Sequence, residues 1–234
     1  VLATGFSASP MTFSLTSGTS QALLGLPAGT SCVVTEDTPV GSPTTSITTD
    51  TGSTSPVTVT GLTATINSLT ADSGSTGTNT AVVTNTYAVG SLKITKALKG
   101  GGSTQFGGSQ SFQFLVTCTS PGVTGTYTKT VSRVGAGTIT VSNILAGSTC
   151  SVTESNSAST GADAVVILDG SNAVITGTGL TINGGTQTAV TFQNWYLTGQ
   201  VTVTKTVDGP GAAFGTGPFT VHLVCSRGGQ SITI

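Results

Sequence analysis

The stretch GSTCSVTE, residues 147–154, has a second copy in this 234-residue chain, GTSCVVTE at residues 29–36. The two copies contain the only two glutamates of the sequence. Each copy alternates as a β-strand does, which places its Cys, a Val and its Glu on one face. Because Cys and Val make that face apolar, we expect each strand to point a carboxyl group into a core. A buried carboxyl group is costly unless it is protonated or partnered, so the sequence predicts a polar partner for each glutamate.

The composition excludes several classes of protein. Charged residues make up 6% of the chain, against about 25% in an average soluble protein, and the net charge is −1. There is no basic patch or acidic run, so we expect no nucleic-acid partner. The apolar runs are far shorter than the roughly 20 residues of a membrane-spanning helix, so we expect no membrane insertion. Four cysteines without a CxxC pair and a single histidine argue against a zinc site, and we expect no cofactor.

The composition indicates an extracellular protein. Thr-rich β composition with regularly placed cysteines is typical of oxidising compartments. No signal peptide is visible, and the chain begins at Val1 rather than Met. We therefore expect either that the protein has been processed or that it is cut from something longer.

Short runs of alternating β-branched and aromatic residues recur along the chain, separated by Gly, Ser, Asn and Asp. Helix signals are almost absent. This pattern predicts an all-β sandwich. The clearest predicted strands are residues 55–60, 111–118, 138–142, 164–168 and 188–196.

The strands belong to a repeated unit of about 109 residues. Each unit contains four characteristic strands. The first carries a lysine, and the second begins with Phe and ends at a cysteine. The third is the Cys/Glu strand described above, and the fourth carries an asparagine. The matching pairs are GSLKITKALKG from Gly90 with GQVTVTKTVDG from Gly199, FQFLVTC ending at Cys118 with FTVHLVC ending at Cys225, and AVVTNTY ending at Tyr87 with VTFQNWY ending at Tyr196.

The repeat divides the chain into three parts. Residues 89–198 form a complete β-sandwich unit, residues 1–88 are the C-terminal part of a first unit, and residues 199–234 are the N-terminal part of a next unit. The last part is the head-to-tail complement of the first. Either the chain is one period of a longer tandem array, or the tail of one subunit completes the head of the next by strand exchange. We favour the array, because it needs no separate assembly step.

Strand alternation places a second and a third polar side chain inward in each unit. Lys96 shares a face with Leu92 and Ile94, and Asn194 shares a face with Phe192. We call the unit that residues 199–234 and residues 1–88 would form together the split unit. In it, the repeat gives Lys205 and Asn85 the positions of Lys96 and Asn194. Each unit is therefore expected to send a Lys, a Glu and an Asn into an apolar core.

This order of Lys, Glu and Asn strands resembles the Cna-B-type domains of Gram-positive surface proteins and pili. The Cys pair and the phrase LPAGTSC-x-VTE, residues 26–36, resemble the related Cys-containing repeats of actinobacterial surface proteins. The resemblance implies tandem immunoglobulin-like (Cna-B-like) β-sandwich units. In such domains the Lys amine attacks the Asn side-chain amide, releases ammonia and forms an intramolecular isopeptide bond.

The resemblance assigns a role to each inward polar residue. Lys96 would be the nucleophile, Asn194 the electrophile and Glu154 the proton shuttle. In the split unit, Lys205 would join Asn85 with assistance from Glu36. Burial favours a neutral amine, which is the nucleophilic form, and fixed strands supply proximity. Two alternatives remain: an unreacted, hydrogen-bonded ion pair, or no contact between these residues.

The four cysteines are expected to form two disulfide bonds. Cys118 and Cys150 both lie on strands and point inward by parity, so we expect a disulfide within the middle unit. Cys32 and Cys225 each lack a partner in their own partial unit and are expected to pair across the head-to-tail junction. A disulfide could also replace the isopeptide bond as the staple of these repeats.

The function that we expect is structural. The chain would be part of a stalk or filament at a bacterial cell surface, with neighbouring repeats or subunits as partners and the cell wall as a further candidate. The runner-up is an adhesin module that binds a host or environmental ligand through loops, for which residues 50–80 are the candidate region. An enzyme is the third class, and no Ser-His-Asp set, carboxylate pair or metal cluster supports it. The only expected chemistry is single-turnover self-crosslinking.

Overall fold

The computed structural model of the chain describes residues 10–50, 57–71, 79–156, 161–227 and 230–232. Over these ranges the regular structure is almost entirely β-strand, which confirms the predicted all-β class. The helical elements there are a π-helical turn, Ser103–Gly107, and a 3-10 turn, Ala212–Phe214. No helix within the described ranges is long and apolar enough to cross a membrane. The chain divides into two compact units, Val1–Leu197 and Thr198–Ile234.

The strands form where β-branched and aromatic residues alternate with polar ones, as the sequence predicts. Residues 55–56 of the predicted strand 55–60 lie outside the described residues. In chain order the strands are β1 (Cys32–Thr35), β2 (Thr44–Asp50), β3 (Val57–Thr60), β4 (Thr63–Ile66), β5 (Thr80–Thr86), β6 (Val89–Lys99), β7 (Ser111–Thr119), β8 (Tyr127–Val134), β9 (Gly137–Leu145), β10 (Thr149–Glu154), β11 (Ala164–Asp169), β12 (Leu180–Thr181), β13 (Gln187–Trp195), β14 (Cys225–Arg227) and β15 (Gln230–Ile232).

Strands β6 to β13 build a two-layer sandwich. One sheet has the order β12-β10-β7-β8 and the other the order β11-β13-β6-β9. All neighbours are antiparallel except β6 and β13, which are parallel. This is the immunoglobulin-like arrangement that the sequence predicts. Inward-facing residues of both sheets form one buried cluster, which includes Leu92, Ile94, Phe112, Phe114, Val116, Val141, Val152, Val190 and Phe192.

The part of the chain before β6 contains two smaller sheets. β1, β4 and β3 form a three-stranded sheet in that order, and β2 pairs with β5. By the repeat, β1 is equivalent to β10 and β5 to β13. Residues 10–31 are described throughout and contain no strand. Within the described residues, β1 and β5 each have one edge without a strand neighbour.

The unit Thr198–Ile234 departs from the prediction. The lysine strand and the Phe/Cys strand expected there do not form: residues 199–224 contain no strand, and β14 begins only at Cys225. A strand needs a neighbour for its backbone N–H and C=O groups, and the described residues of this unit do not supply the neighbours that β6 and β7 have in the sandwich. Residues that would face a core are exposed instead: Val201 by 65%, Val203 by 54%, Phe219 by 50%, Val221 by 55% and Leu223 by 53%.

A glycine fixes the turn that follows β6. Gly100 has φ +86°, and a Cβ atom at this position would lie 2.2 Å from the carbonyl oxygen of Tyr196. Tyr196 is held there by two hydrogen bonds, from its N–H to the Lys99 carbonyl and from the Gly102 N–H to its own carbonyl. The turn therefore has no room for a side chain.

Gly100→Ala is expected to destabilise the sandwich by more than the roughly 1–2 kcal/mol that a left-handed backbone alone costs a residue with a Cβ. The matched control is Gly125→Ala, where φ is +100° and nothing lies within 4 Å of the added Cβ. Denaturant unfolding followed by the fluorescence of Trp195, the only tryptophan of the chain, measures both changes. Equal losses in the two variants would contradict the steric account.

Candidate functional site

The topology of the sandwich brings a lysine and an asparagine onto neighbouring strands. β6 and β13 are the first and last strands of the unit, and they pair in parallel with Lys96 opposite Phe192. Asn194 lies two residues further along β13 and therefore faces the same side. Glu154 is the last residue of β10, in the opposite sheet. Three strands from two sheets thus each contribute one polar side chain to the core.

The three side chains are joined through the carboxyl group of Glu154. The Nζ of Lys96 donates a hydrogen bond to Oε2 of Glu154 over 2.8 Å, and Nδ2 of Asn194 donates to Oε1 over 2.8 Å. Lys96 is 2% exposed, Glu154 6% and Asn194 0%. The carboxyl group therefore lies in contact with both nitrogen atoms that an amide exchange would involve.

The surroundings of this cluster are aromatic. The Nζ of Lys96 lies 4.2 Å from the centroid of the Phe112 ring, a contact in which the ring face attracts a cation. The rings of Phe114 and Phe192 pack with their centroids 5.1 Å apart. Burial lowers the pKa of Lys96 from its ordinary value, and the hydrogen bond and charge of Glu154 offset part of that change. The site thus favours a neutral amine more than solvent does.

A disulfide stands at the other end of the same strand pair. Cys118 on β7 and Cys150 on β10 are directly opposite in the antiparallel register and form a disulfide with a Cα–Cα distance of 4.0 Å. Both residues are buried. Glu154 lies further along β10, opposite Phe114, so the disulfide holds the strand that carries the carboxyl group.

A second glutamate and asparagine meet in the N-terminal part of the chain. Nδ2 of Asn85 donates a hydrogen bond to Oε1 of Glu36 over 2.6 Å, and the hydroxyl of Thr45 donates to Oδ1 of Asn85. The other carboxyl oxygen of Glu36, Oε2, is shielded from solvent and has no hydrogen-bond partner among the described residues. In the sandwich the equivalent oxygen, Oε2 of Glu154, accepts a hydrogen bond from the Lys96 amine.

The remaining predicted site residues are Lys205, Cys32 and Cys225. Lys205 is exposed; its Nζ donates to the Thr206 carbonyl over 2.6 Å and lies 4.5 Å from the centroid of the Phe219 ring. Cys32 and Cys225 are free thiols. Burial raises the pKa of the Cys32 thiol. The pairing of these two cysteines across a head-to-tail junction stays a prediction.

Two contacts of these sites were missed by sequence reasoning. Strand parity places Phe112 inward but does not show that its ring covers the lysine amine. The recurrence of a Phe at the equivalent position 219 is a signal that could have found this contact. Nothing in the sequence marks Thr45 as the partner of Asn85.

The chain has measurable similarity to several solved structures. A bacterial adhesin from Mobiluncus mulieris containing intramolecular disulfide, isopeptide and ester bond cross-links is 18% identical, with 59% of this chain and 53% of that chain covered and a TM-score of 0.39. The major pilin T3.2 from Streptococcus pyogenes serotype GAS13637 is 14% identical, with 74% and 69% covered and a TM-score of 0.37. A major pilin from Streptococcus pyogenes is 17% identical, with 76% and 73% covered and a TM-score of 0.32. The chain thus spans about half the length of the adhesin.

No curated protein matches the chain at a significant level. A family model does match, twice in succession, over residues 3–88 and 92–197. The two matches cover most of the chain and separate close to the start of β6. This chain belongs to the family described as Domain of unknown function (DUF5979).

Proposed function

We propose that this chain is a structural repeat protein of a bacterial cell surface, part of an extracellular stalk or filament whose units lock themselves with a Lys96–Asn194 isopeptide bond. The observation that carries the proposal is the position of Glu154. Its two carboxyl oxygens accept hydrogen bonds from the Lys96 amine and from the Asn194 amide nitrogen. One carboxyl group is therefore placed to move a proton between the attacking and the departing nitrogen.

The proposed reaction needs no further reactant. The lone pair of Lys96 Nζ attacks Cγ of Asn194, and a new C–N amide bond forms. The bond from Cγ to Nδ2 of Asn194 breaks, and Nδ2 leaves as ammonia. Glu154 takes a proton from the attacking nitrogen and delivers it to the departing one, so it returns to its starting state. The reaction occurs once per unit, which makes it self-maturation rather than turnover of a substrate.

The surroundings support this chemistry in three ways. Burial lowers the pKa of Lys96, which favours the neutral, nucleophilic amine more than exposure to solvent would. A surface cleft is lined by Glu154, Ile167 and Phe192, among others, and we expect ammonia to leave on this side of the carboxyl group. Fixed strands hold the reacting groups together, and such proximity alone supplies a large part of the barrier reduction in intramolecular reactions.

The stalk role is supported by the two strands that the isopeptide bond would join, β6 and β13. The chain enters the sandwich through β6 and leaves it through β13. A pulling force on the two ends of the unit would therefore act on these two strands. A covalent bond from Lys96 to Asn194 would carry that force directly from the entry strand to the exit strand. The core would then bear little of the load, which suits a tandem array of such units.

The adhesin alternative has no comparable support. Its candidate region, residues 50–80, includes residues 51–56 and 72–78, which lie outside the described part of the chain. The described remainder of that region carries no cluster that points to a ligand.

The intact mass of the full chain tests the proposal. We expect reduced wild-type protein to be about 17 Da lighter than its sequence for each isopeptide bond. Lys96→Ala and Asn194→Ala should each lose the deficit that belongs to this pair. Lys129→Ala is the matched control, because it removes an exposed lysine of the same unit. A wild-type protein with no deficit would leave the cluster as a buried ion pair.

The rate of bond formation is expected to rise with pH. The neutral fraction of Lys96 increases as pH approaches its lowered pKa from below. Protein refolded from denaturant at a series of pH values, with the 17 Da loss (about one ammonia) followed by mass spectrometry, measures this dependence. A rate that falls as pH rises from 6 to 9 (roughly the range below the lysine value) would contradict the role of the neutral amine.

A further inference from the structure

We propose that the two consecutive repeats of this chain are held in a fixed relative orientation by a contact beside their linker, in which the turn at residues 40–41 of the first repeat docks on a socket of the sandwich. The socket consists of residues 121–123 and Leu145. The inference rests on the proposed function in that it concerns a stalk of tandem units. It goes beyond it by naming the surface through which one repeat binds the next.

The covalent link between the repeats is short and is itself anchored. Strands β5 and β6 are separated by Tyr87 and Ala88. The carbonyl of Ala88 accepts a hydrogen bond from the N–H of Ala146 over 2.9 Å. A Cβ atom added at Gly184 would lie 2.9 Å from Cβ of Ala88, so this residue is packed against the sandwich. A hinge between the repeats therefore has to lie at or before Tyr87.

The second contact is made by two glycine turns. Gly41 is buried, and a Cβ atom added there would lie 3.2 Å from Cδ2 of Leu145 and 3.6 Å from Cγ2 of Val123. A Cβ atom added at Gly122 would lie 3.4 Å from the backbone nitrogen of Gly41 and 3.8 Å from Cα of Val40. The backbones of the two turns therefore approach each other with no side chain between them.

The backbone at both turns requires glycine. The φ angle is +81° at Gly41 and +68° at Gly122, a conformation that glycine adopts without a steric penalty. A Cβ atom at position 41 would also lie 3.2 Å from Cε1 of Tyr87, so the linker tyrosine borders the contact. A large side chain at either glycine would push the turn out of the socket.

The contact lies at the ends of the repeats that a tandem array brings together. In the sandwich, Oδ2 of Asp163 accepts a hydrogen bond over 2.7 Å from the N–H of Leu197, where the chain leaves the last strand. The turn equivalent to residues 40–41 comes just before Asp163 and is therefore at the exit end. The socket is at the entry end, because Leu145 pairs with Val89, the first residue of β6.

The sandwich carries both halves of this joint. β11 pairs with β13 in the register in which β2 pairs with β5. Alignment on that register makes Gly161 the equivalent of Gly41, and its φ is also positive, at +71°. An interface that uses a different surface on each side is heterologous and repeats along an open array. The same joint is therefore available at each junction of a tandem array.

The joint does not need a large interface. Stable contacts between separate molecules bury about 1,200–2,000 Å², whereas this one joins two turns. The linker keeps the turn close to its socket, and a short linker corresponds to an effective concentration in about the millimolar range. A contact of low affinity is therefore sufficient to stop rotation at the hinge.

The distance between two spin labels on the full chain tests the inference. The labels are attached to Thr48→Cys in the first repeat and Lys129→Cys in the sandwich, both exposed positions. Cys32→Ala and Cys225→Ala remove the free thiols, and the buried disulfide does not react with the label. Electron paramagnetic resonance is expected to give one narrow distance distribution for this parent protein.

Two variants open the joint from opposite sides. Gly41→Glu places a charged side chain against Leu145 and the linker tyrosine, and Val123→Asp places a charge in the socket. Val123 is 43% exposed, so the second change leaves the core of the sandwich intact. Each variant is expected to broaden the distance distribution at least about twofold, as when a fixed joint becomes a flexible tether.

Gly161→Glu is the matched control. It makes the same change in the equivalent turn at a similar positive φ, and within the described residues an added Cβ atom there meets nothing within 4 Å. The strain of a left-handed backbone is thus common to Gly41→Glu and Gly161→Glu, whereas the contact with the socket belongs to Gly41 alone. The control should keep the narrow distribution of the parent.

The other outcomes overturn the inference. A broad distribution in the parent shows that the repeats are flexibly tethered. A distribution that stays narrow in both Gly41→Glu and Val123→Asp shows that the anchored linker alone fixes the orientation. Equal broadening in Gly161→Glu and Gly41→Glu shows that backbone strain, and not loss of the contact, causes the change.

The failure of this inference can be told apart from failure of the proposed function. The intact mass of the same samples reports the Lys96–Asn194 bond. A narrow distribution without the mass deficit would keep the joint and remove the covalent lock. The deficit with a broad distribution would leave covalently locked units on flexible tethers.

Discussion

Glu154→Ala is expected to abolish the Lys96–Asn194 bond and to lower the free energy of unfolding of the sandwich by at least about 3–5 kcal/mol. The substitution leaves the Lys96 amine buried without its counter-ion, because Glu154 is its partner at 2.8 Å. It also removes the group that contacts both reacting nitrogens. The intact mass should then equal the mass of the unmodified sequence. Denaturant unfolding, followed by Trp195 fluorescence, measures the loss of stability.

Two further variants separate stability from chemistry. Glu154→Gln keeps a hydrogen-bonding side chain of the same size but cannot accept and release a proton at neutral pH. We expect it to fold with a smaller loss of stability and to form no amide bond. Asp37→Ala removes an exposed carboxylate, and its effect should be within about 0.5 kcal/mol. Full formation of the bond in Glu154→Ala would refute the proton-transfer role of this residue.

Replacing both Cys118 and Cys150 with alanine is expected to cost the sandwich about 3–4 kcal/mol, since the disulfide closes a loop between residues 32 positions apart. The loss arises mainly because the unfolded chain regains conformational freedom. Strand β10 should also be held less firmly, so bond formation at Glu154 should slow in this variant. Denaturant unfolding and the time course of the mass loss report the two effects.

The free cysteines provide the matched control. Cys32→Ala with Cys225→Ala changes the same number of thiols but breaks no disulfide. Its effect on the stability of the sandwich should be less than about 1 kcal/mol. Equal losses in the two double variants would contradict the view that the disulfide, rather than the cysteine side chains, stabilises the fold.

Sequence reasoning predicts the inward residues well, because strand alternation has a period of two and needs only local information. It places Lys96, Glu154 and Asn194 in the core, and the structure buries all three. It does not give the register between strands. That Lys96 lies opposite Phe192, and so within reach of Asn194, depends on a parallel pairing of segments about 96 residues apart, which no local pattern encodes.

The tail shows a different limit of sequence reasoning. The alternation around Lys205 is as regular as that around Lys96, yet the strand does not form. Alternation indicates which face of a strand would be buried, but a strand exists only where a neighbour satisfies its backbone. Lys96 has such neighbours on both sides, in β9 and β13. The missing strands thus reflect the lack of strand neighbours among the described residues of this unit, and not an unsuitable sequence.

Gly100 shows what a repeat can and cannot reveal. The recurrence of glycine at the equivalent position 209 marks it as a special position, and both residues have positive φ. The contact that forbids a side chain, with the Tyr196 carbonyl, comes from a distant part of the chain. It therefore becomes visible only once the first and last strands of the sandwich are placed side by side.

The most direct test of the account is tandem mass spectrometry of a peptic digest of the folded, reduced chain. We expect a branched peptide in which the Lys96 side chain is joined to that of Asn194, lighter by about 17 Da than the two peptides together. The same branched peptide should be absent from Glu154→Ala. Recovery of the Lys96 and Asn194 peptides from wild-type protein as separate, unmodified species would contradict the central claim.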